Sequence, residues 1–181
     1  MSYQQDASRS EKTFLKICAA PLKEMFKASA ILSTAPHKEK LDKVIDFAGV
    51  DYIVDSPLFG LVPIQGKVSF GNAPYRNFVI RRSRSSGALT DYDKLNRARK
   101  FGTISPLCHV AVFADNDDDD NADAALVYTA DLLNFIDDGL ANVKSYQNGS
   151  FFTCDWQRLE DYGVKLFHLV RRADSLKEAT E

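Results

Sequence analysis

The chain has 181 residues, 45% hydrophobic and 27% charged, with a formal net charge of −2. That length suits one ordinary domain with a real core, and the composition excludes disordered, collagen-like and disulfide-scaffold classes. Cys18, Cys108 and Cys154 are odd in number, scattered and without zinc-ligand spacing, so they read as buried free thiols of a reducing compartment.

The N-terminus lacks an apolar leader and no stretch is long and apolar enough to span a membrane, so a cytoplasmic protein is expected. The charge is unevenly placed. From Lys67 to Lys100 nine Lys or Arg face two Asp, a local balance of +7 that leaves −9 for the remainder. A basic block on an acidic protein fits a polyanion footprint and fits a mixed solvated surface equally well.

Residues 1–7 are polar and read as a flexible N-terminus, 8–173 as a single domain, and 174–181 as a flexible tail. Ser8 or Ser10 suits the N-cap of a helix carrying Phe14, Leu15, Ile17 and Cys18. Pro21 predicts a break near Ala20 and a second helix with Leu22, Met25, Phe26 and Ile31 at helical spacing, stopped by Pro36. Next come two apolar runs, DYIV and LVPIQGKVSF, joined by the turn-forming DSPLFG. FVIRRSR reads as a third strand, and Thr90 as the N-cap of DYDKLNRARKFG, whose acids and bases suit the helix dipole and whose Gly102 closes it. PLCHVAVFAD follows as a buried strand. Asn116 to Asp123 reads as a polar loop; its four aspartates lack the glycine and glutamate of a calcium-binding EF-hand. ALVYTADLLNFIDDGLANV reads as strand then helix, and SFFTCDWQRLEDYGVKLFHLV as strand, short helix and strand, with Trp156 anchoring that helix in the core.

The hairpin from Asp51 to Lys67 is the chemically unusual stretch. Gln65 and Lys67 lie two positions apart and leave the same face of their strand, beside Asp51 on the partner. A carboxylate, an amide and an ammonium on one side of an apolar element would cost several kcal/mol to bury unpaired.

Asp51 with Gln65-Gly66-Lys67 resembles the signature of the PD-(D/E)xK, or restriction-endonuclease-like, nuclease superfamily in its Q-x-K variant. The flanking GVDYIV and VPIQGKVSF are similar to forms seen in Holliday-junction-resolvase-like and phage nucleases, and the order of elements extends the match over residues 8–135. The resemblance implies an α/β fold with an αβββαβ core, its mixed central sheet flanked by helices. It implies a Mg²⁺-dependent DNA endonuclease of a bacterium or its phage, with Mn²⁺ able to substitute. Asp51 would be the principal metal ligand, supported by the Gln65 amide and the Gly66 carbonyl. Lys67 would hold or deprotonate the attacking water and stabilise developing charge. The family's pattern adds a helix carboxylate, for which Glu24 is the first candidate, Glu11 the second and Glu39 the third. Such nucleases often act as homodimers, though nothing in this sequence marks an interface.

Gln65 departs from the commoner carboxylate, which weakens metal affinity and makes a helix glutamate more necessary. Arg81, Arg82 and Arg84, with Lys94, Arg97 and Lys100 on the next helix, are candidates for phosphate contacts that position DNA without reading it. Ser69 shares the face of Lys67, and Tyr75 is either a base-stacking or a packing aromatic. His109, inside LCHVAVF, reads as a satisfied core histidine, and no P-loop, G-x-S-x-G or G-x-G-x-x-G is present. The alternative function is a catalytically inactive nuclease-fold protein that binds nucleic acid or a protein partner. A third reading is a protein whose acidic surface mimics DNA.

Overall fold

The computed structural model describes residues 3–34, 49–71, 75–86, 88–103, 105–115 and 121–172, with the backbone alone for 3–7. It opens with one helix, α1 (Tyr3–Phe26), which passes through Pro21 without a break. The proline removes the hydrogen bond to the Ile17 carbonyl, a local cost of roughly 3 kcal/mol. Against that cost stands one unbroken apolar stripe, Phe14, Ile17, Cys18, Leu22 and Phe26, buried in a single core. Tertiary burial holds together two turns that local propensity would separate. Lys27 then takes a left-handed φ of 51° and ends the helix. Ile31, expected in a helix, therefore lies in a strand, β1 (Ala30–Ser33). The expected stop at Pro36 lies outside the described residues.

β2 (Tyr52–Ser56) and β3 (Gly60–Phe70) form the expected antiparallel hairpin, with β1 added on the far side of β2. β4 (Asn77–Arg84) and α2 (Asp91–Phe101) follow, then β5 (Cys108–Ala114), β6 (Ala122–Tyr128), α3 (Thr129–Asp137), β7 (Asn142–Tyr146), β8 (Gly149–Asp155), α4 (Trp156–Asp161) and β9 (Phe167–Val170). β6 begins at Ala122, so Asp123 belongs to a strand and not to the preceding loop. β7 is a strand where the sequence predicts that the preceding helix continues through Val143. Gly139, at φ 74°, stops that helix. Asn148-Gly149 is the hairpin signal that marks a strand on either side.

The central sheet is mixed, in the order β1-β2-β3-β5-β6-β9. β3 is antiparallel to β2 and parallel to β5. Parallel neighbours need a crossover, and β4 with α2 provides it. β4 therefore leaves the central sheet and founds a second one, ordered β4-β8-β7. This corrects the assignment of FVIRRSR as the third strand of the main sheet. The expected αβββαβ path exists, but it runs α1-β1-β2-β3-α2-β5, with β4 as an excursion.

Strand alternation sorts the core into two layers. Cys108, Val110, Val112 and Ala114 pack with α1 on one face of the central sheet. Ala111 and Phe113 pack on the other face with α3 and residues of the second sheet, including Phe78, Ile80 and Cys154. The central sheet is thus flanked by α1 on one side and by α3 with the second sheet on the other. Trp156 is buried at the start of α4 against Phe78 and Phe113, as expected. All three cysteines are buried and unpaired, their thiols pushed up to about 12 chiefly by burial. α2 starts with a reciprocal capping box between Thr90 and Asp93 and ends on left-handed Gly102. Among the described residues no helix is long and apolar enough to cross a membrane.

Candidate active site

β2 begins at Tyr52, which pairs with Ile64, so β2 flanks only the first part of β3. From Gln65 to Phe70 the paired neighbour of β3 is β5 alone, among the described residues. Asp51 lies at this step. Its N–H donates to the Ile64 carbonyl at 2.9 Å, and its Oδ2 accepts from the Gly66 N–H at 3.0 Å. That bond sets the carboxylate against β3. In an extended strand the carbonyl of a residue points to the same lateral side as its N–H, so the Gly66 carbonyl also faces the Asp51 side.

A pocket of about 210 Å³ opens beside this step, between β3, β5 and β4. Asp51, Gln65, Gly66, Lys67 and Ser69 all line it, together with His109 and Asn77. The central triad of the sequence reading therefore meets in one hollow. Gln65 pairs with His109 on β5, and one further step of the β2–β3 register sets Asp51 opposite Gln65. The three form a row across adjacent strands on one face.

Lys67 stands at the mouth, reached by solvent, yet protein crowds its ammonium. Desolvation lowers its pKa from the ordinary lysine value; Asp91 opposes this, Arg81 adds to it, and Asp51 opposes it. The aromatic ring of Phe151 lies 5.9 Å from its Nζ. Asp91, the first residue of α2, is thus a carboxylate near Lys67 that sequence order does not reveal, because it enters only through the crossover.

His109 is a more specific residue than a satisfied core histidine. It is 4% exposed, its Nδ1 lies 3.0 Å from Thr129 Oγ1, and its Nε2 has no hydrogen-bond partner. Burial, then the Lys67 charge, push its pKa down to about 3, so a neutral imidazole stands beside Gln65 at neutral pH.

Glu24 and Glu11 sit at opposite ends of the hairpin. The end of α1 lies against the turn, where Ser56 Oγ donates to the Phe26 carbonyl and the Phe26 ring meets Phe59 edge-on at 6.2 Å. Glu24 is exposed there, away from Asp51. Glu11 is one turn before Phe14, whose ring stacks on Tyr52 at 4.0 Å and 8°. Burial first, then Asp51 and Glu11, push the Tyr52 phenol upward, which places both carboxylates around that residue. Glu39 lies outside the described residues. No cluster of three or more His, Cys, Asp or Glu side chains suited to a metal occurs among the described residues.

Of the basic candidates, Arg81 lies near Lys67 without lining the pocket, its guanidinium 4.7 Å from the Phe151 ring centre. Arg82 points to the opposite face, over Phe152 at 5.5 Å. Arg84 is exposed near the end of β4, past a register shift between Arg81 and Ser83. Lys94 and Arg97 belong to α2 and do not line the pocket. Arg76, also in the basic block, is held by Asp123 at 2.8 Å, and Arg172 bridges Asp115 at 2.7 Å and Asp123 at 3.5 Å, tying the ends of β5 and β6 together.

No family model matches the chain, and no curated protein matches it significantly. Among solved structures it is similar to a nuclease from a fusselovirus, with a TM-score of 0.41 and 10% identity, over 96% of this chain and 90% of that one. So slight a likeness leaves the functional reading to the residues themselves.

Proposed function

We propose that the pocket at Asp51, Gln65 and Lys67 hydrolyses DNA phosphodiester bonds with the help of Mg²⁺. The observation that carries this reading is the convergence of those three side chains, two from β3 and Asp51 from just before β2, at the step where the pairing of β2 with β3 ends. The donors fit a hard cation: a carboxylate oxygen, an amide oxygen and the Gly66 carbonyl, all oxygens, in a site open enough to keep waters and admit a phosphate. A cation held there would lower the pKa of a bound water and offset charge on the phosphate. The chain's own residues supply the rest. The Gly66 N–H orients Asp51, and Gln65 contributes a ligand without adding charge. Lys67 holds the attacking water; its lowered pKa brings it closer to taking that water's proton. Arg81 and Lys67 together meet the negative phosphate.

A binding-only protein is the second reading. It is favoured by the pocket lining, in which Asp51 is the sole carboxylate among the described residues. The two readings part on one experiment: cleavage of supercoiled, single-stranded and branched DNA with Mg²⁺ or Mn²⁺. The expected outcome is cutting by the wild type and a loss of at least about a hundredfold in Asp51→Ala and Lys67→Ala, with thermal melts unchanged. Normal cutting by either variant would falsify the site assignment. Absence of both cutting and metal binding in the wild type would favour the binding-only reading.

A further inference from the structure

The second sheet turns one face into the core; the other is half-buried at Val79, Arg81 and Phe151, buried at Thr153, and exposed along β7. Phe78, Ile80 and Cys154 point inward to the α2 and α3 side. The alternate residues point away. Register aligns Arg81, Phe151 and Lys144 in one row across the three strands, and Val79, Thr153 and Asn142 in the next.

Three properties distinguish this face from ordinary solvated sheet. It is cationic: Arg81, Lys144 and Arg158 lie along it, with Lys67 at one end, against two acids, Asp155, which caps α4 by accepting from the Arg158 N–H, and Asp91 near Lys67. It displays aromatic rings, for Tyr75 is 65% and Tyr146 63% exposed, and Tyr146 is braced edge-on by Phe151 at 5.6 Å. It also continues the active-site hollow. A second depression of about 360 Å³, lined by Tyr75, Asn142, Lys144 and Arg158, shares Asn77 with the pocket at Lys67.

We infer that this face is a track for an unpaired DNA strand, which it leads to the pocket at Lys67. The inference rests on the nuclease reading and names its substrate form. Spaced cations follow a single sugar–phosphate backbone, and exposed tyrosines accept bases that are free to stack. In a duplex the bases stack on one another, so the tyrosines would have no partner and only the phosphate contacts would remain. A single strand uses both features of the face; a duplex uses one.

The test is fluorescence anisotropy in EDTA, where nothing is cut, with a short thymidine oligonucleotide and a duplex of matched length. The proteins are the wild type and Lys144→Ala/Tyr146→Ala, two exposed positions on β7. The double variant is expected to bind the oligonucleotide about tenfold more weakly or worse, with a salt slope shallower by about 0.7 for the lost phosphate contact. Its duplex affinity should fall less, because the duplex loses the phosphate contact of Lys144 but no stacking on Tyr146. Equal weakening on both probes, no weakening on the oligonucleotide, or no oligonucleotide binding by the wild type overturns the track. If the double variant melts early, Tyr75→Ala, outside the sheet, should weaken the oligonucleotide and leave the duplex and the salt slope unchanged. Binding without cleavage in Mg²⁺ would remove the catalytic reading and leave the track. Cleavage with undiminished oligonucleotide binding by both variants would do the reverse.

Discussion

The two faces of β3 at Gln65-Gly66-Lys67 differ in kind. Toward α1 there is no room: a Cβ built on Gly66 would lie 2.5 Å from Phe14 Cε2 and 2.6 Å from Tyr52 Cε2, inside a stacked aromatic pair. Toward the second sheet, one residue on either side, Gln65 and Lys67 look into an open hollow with an unpartnered histidine nitrogen. Tight packing on one face holds the strand still so that the other can present polar groups at set positions. Glycine here serves the packed face and leaves its backbone N–H to hold Asp51.

Three perturbations would break or sharpen that contrast, beyond the active-site and strand-track variants above. Phe14→Ala removes the ring that lies over Tyr52 and should destabilise the fold by about 3–5 kcal/mol, read from the midpoint of a denaturant melt. A midpoint near the wild type would mean that the α1 face does not brace the strand. Gly66→Ala should cost about 1–3 kcal/mol through overpacking. It should also shift β3 away from Asp51, so metal-dependent cleavage per folded molecule should fall as well. Loss of stability with full activity would separate the two faces.

The smallest effect concerns His109. Its folded pKa is pushed from 6.5 to about 3, so between those values the unfolded chain takes up a proton that the folded chain refuses. Its contribution to stability is complete above about pH 6.5 and lessens as the pH drops toward 3, by up to about 1.4 kcal/mol per pH unit. His109→Gln should flatten that acid limb relative to the wild type. Parallel stability–pH curves for the two proteins would show that His109 is not the buried neutral group.

Features governed by near neighbours were legible in the chain. The hairpin, the Thr90 cap, Gly102 at the end of α2 and the buried strand at Cys108 all follow from alternation, capping and turn chemistry within a few residues. The triad Asp51, Gln65 and Lys67 was legible for the same reason: two residues on one face and a third across a short turn. Pro21 misled because burial of the α1 stripe outweighs a missing hydrogen bond. Ile31 misled because helical spacing does not forbid a strand once Lys27 has turned the chain. FVIRRSR was legible as a strand but not as a member of another sheet. Arg81 and Arg82 were legible as charges, but which of them lies near Lys67 follows from the register of β4 on β8.

What local chemistry determined here is the inventory: where strands and helices start, which residues alternate, and that a carboxylate, an amide and an ammonium share one hairpin. Tertiary structure decided the neighbours. The parallel pairing of β3 with β5 brought His109 beside Gln65, the crossover brought Asp91 and Arg81 toward Lys67, and the second sheet set a cationic face beside the pocket. Those contacts join residues far apart along the chain, and they are selected by the burial of whole faces rather than by the propensities of the residues that meet.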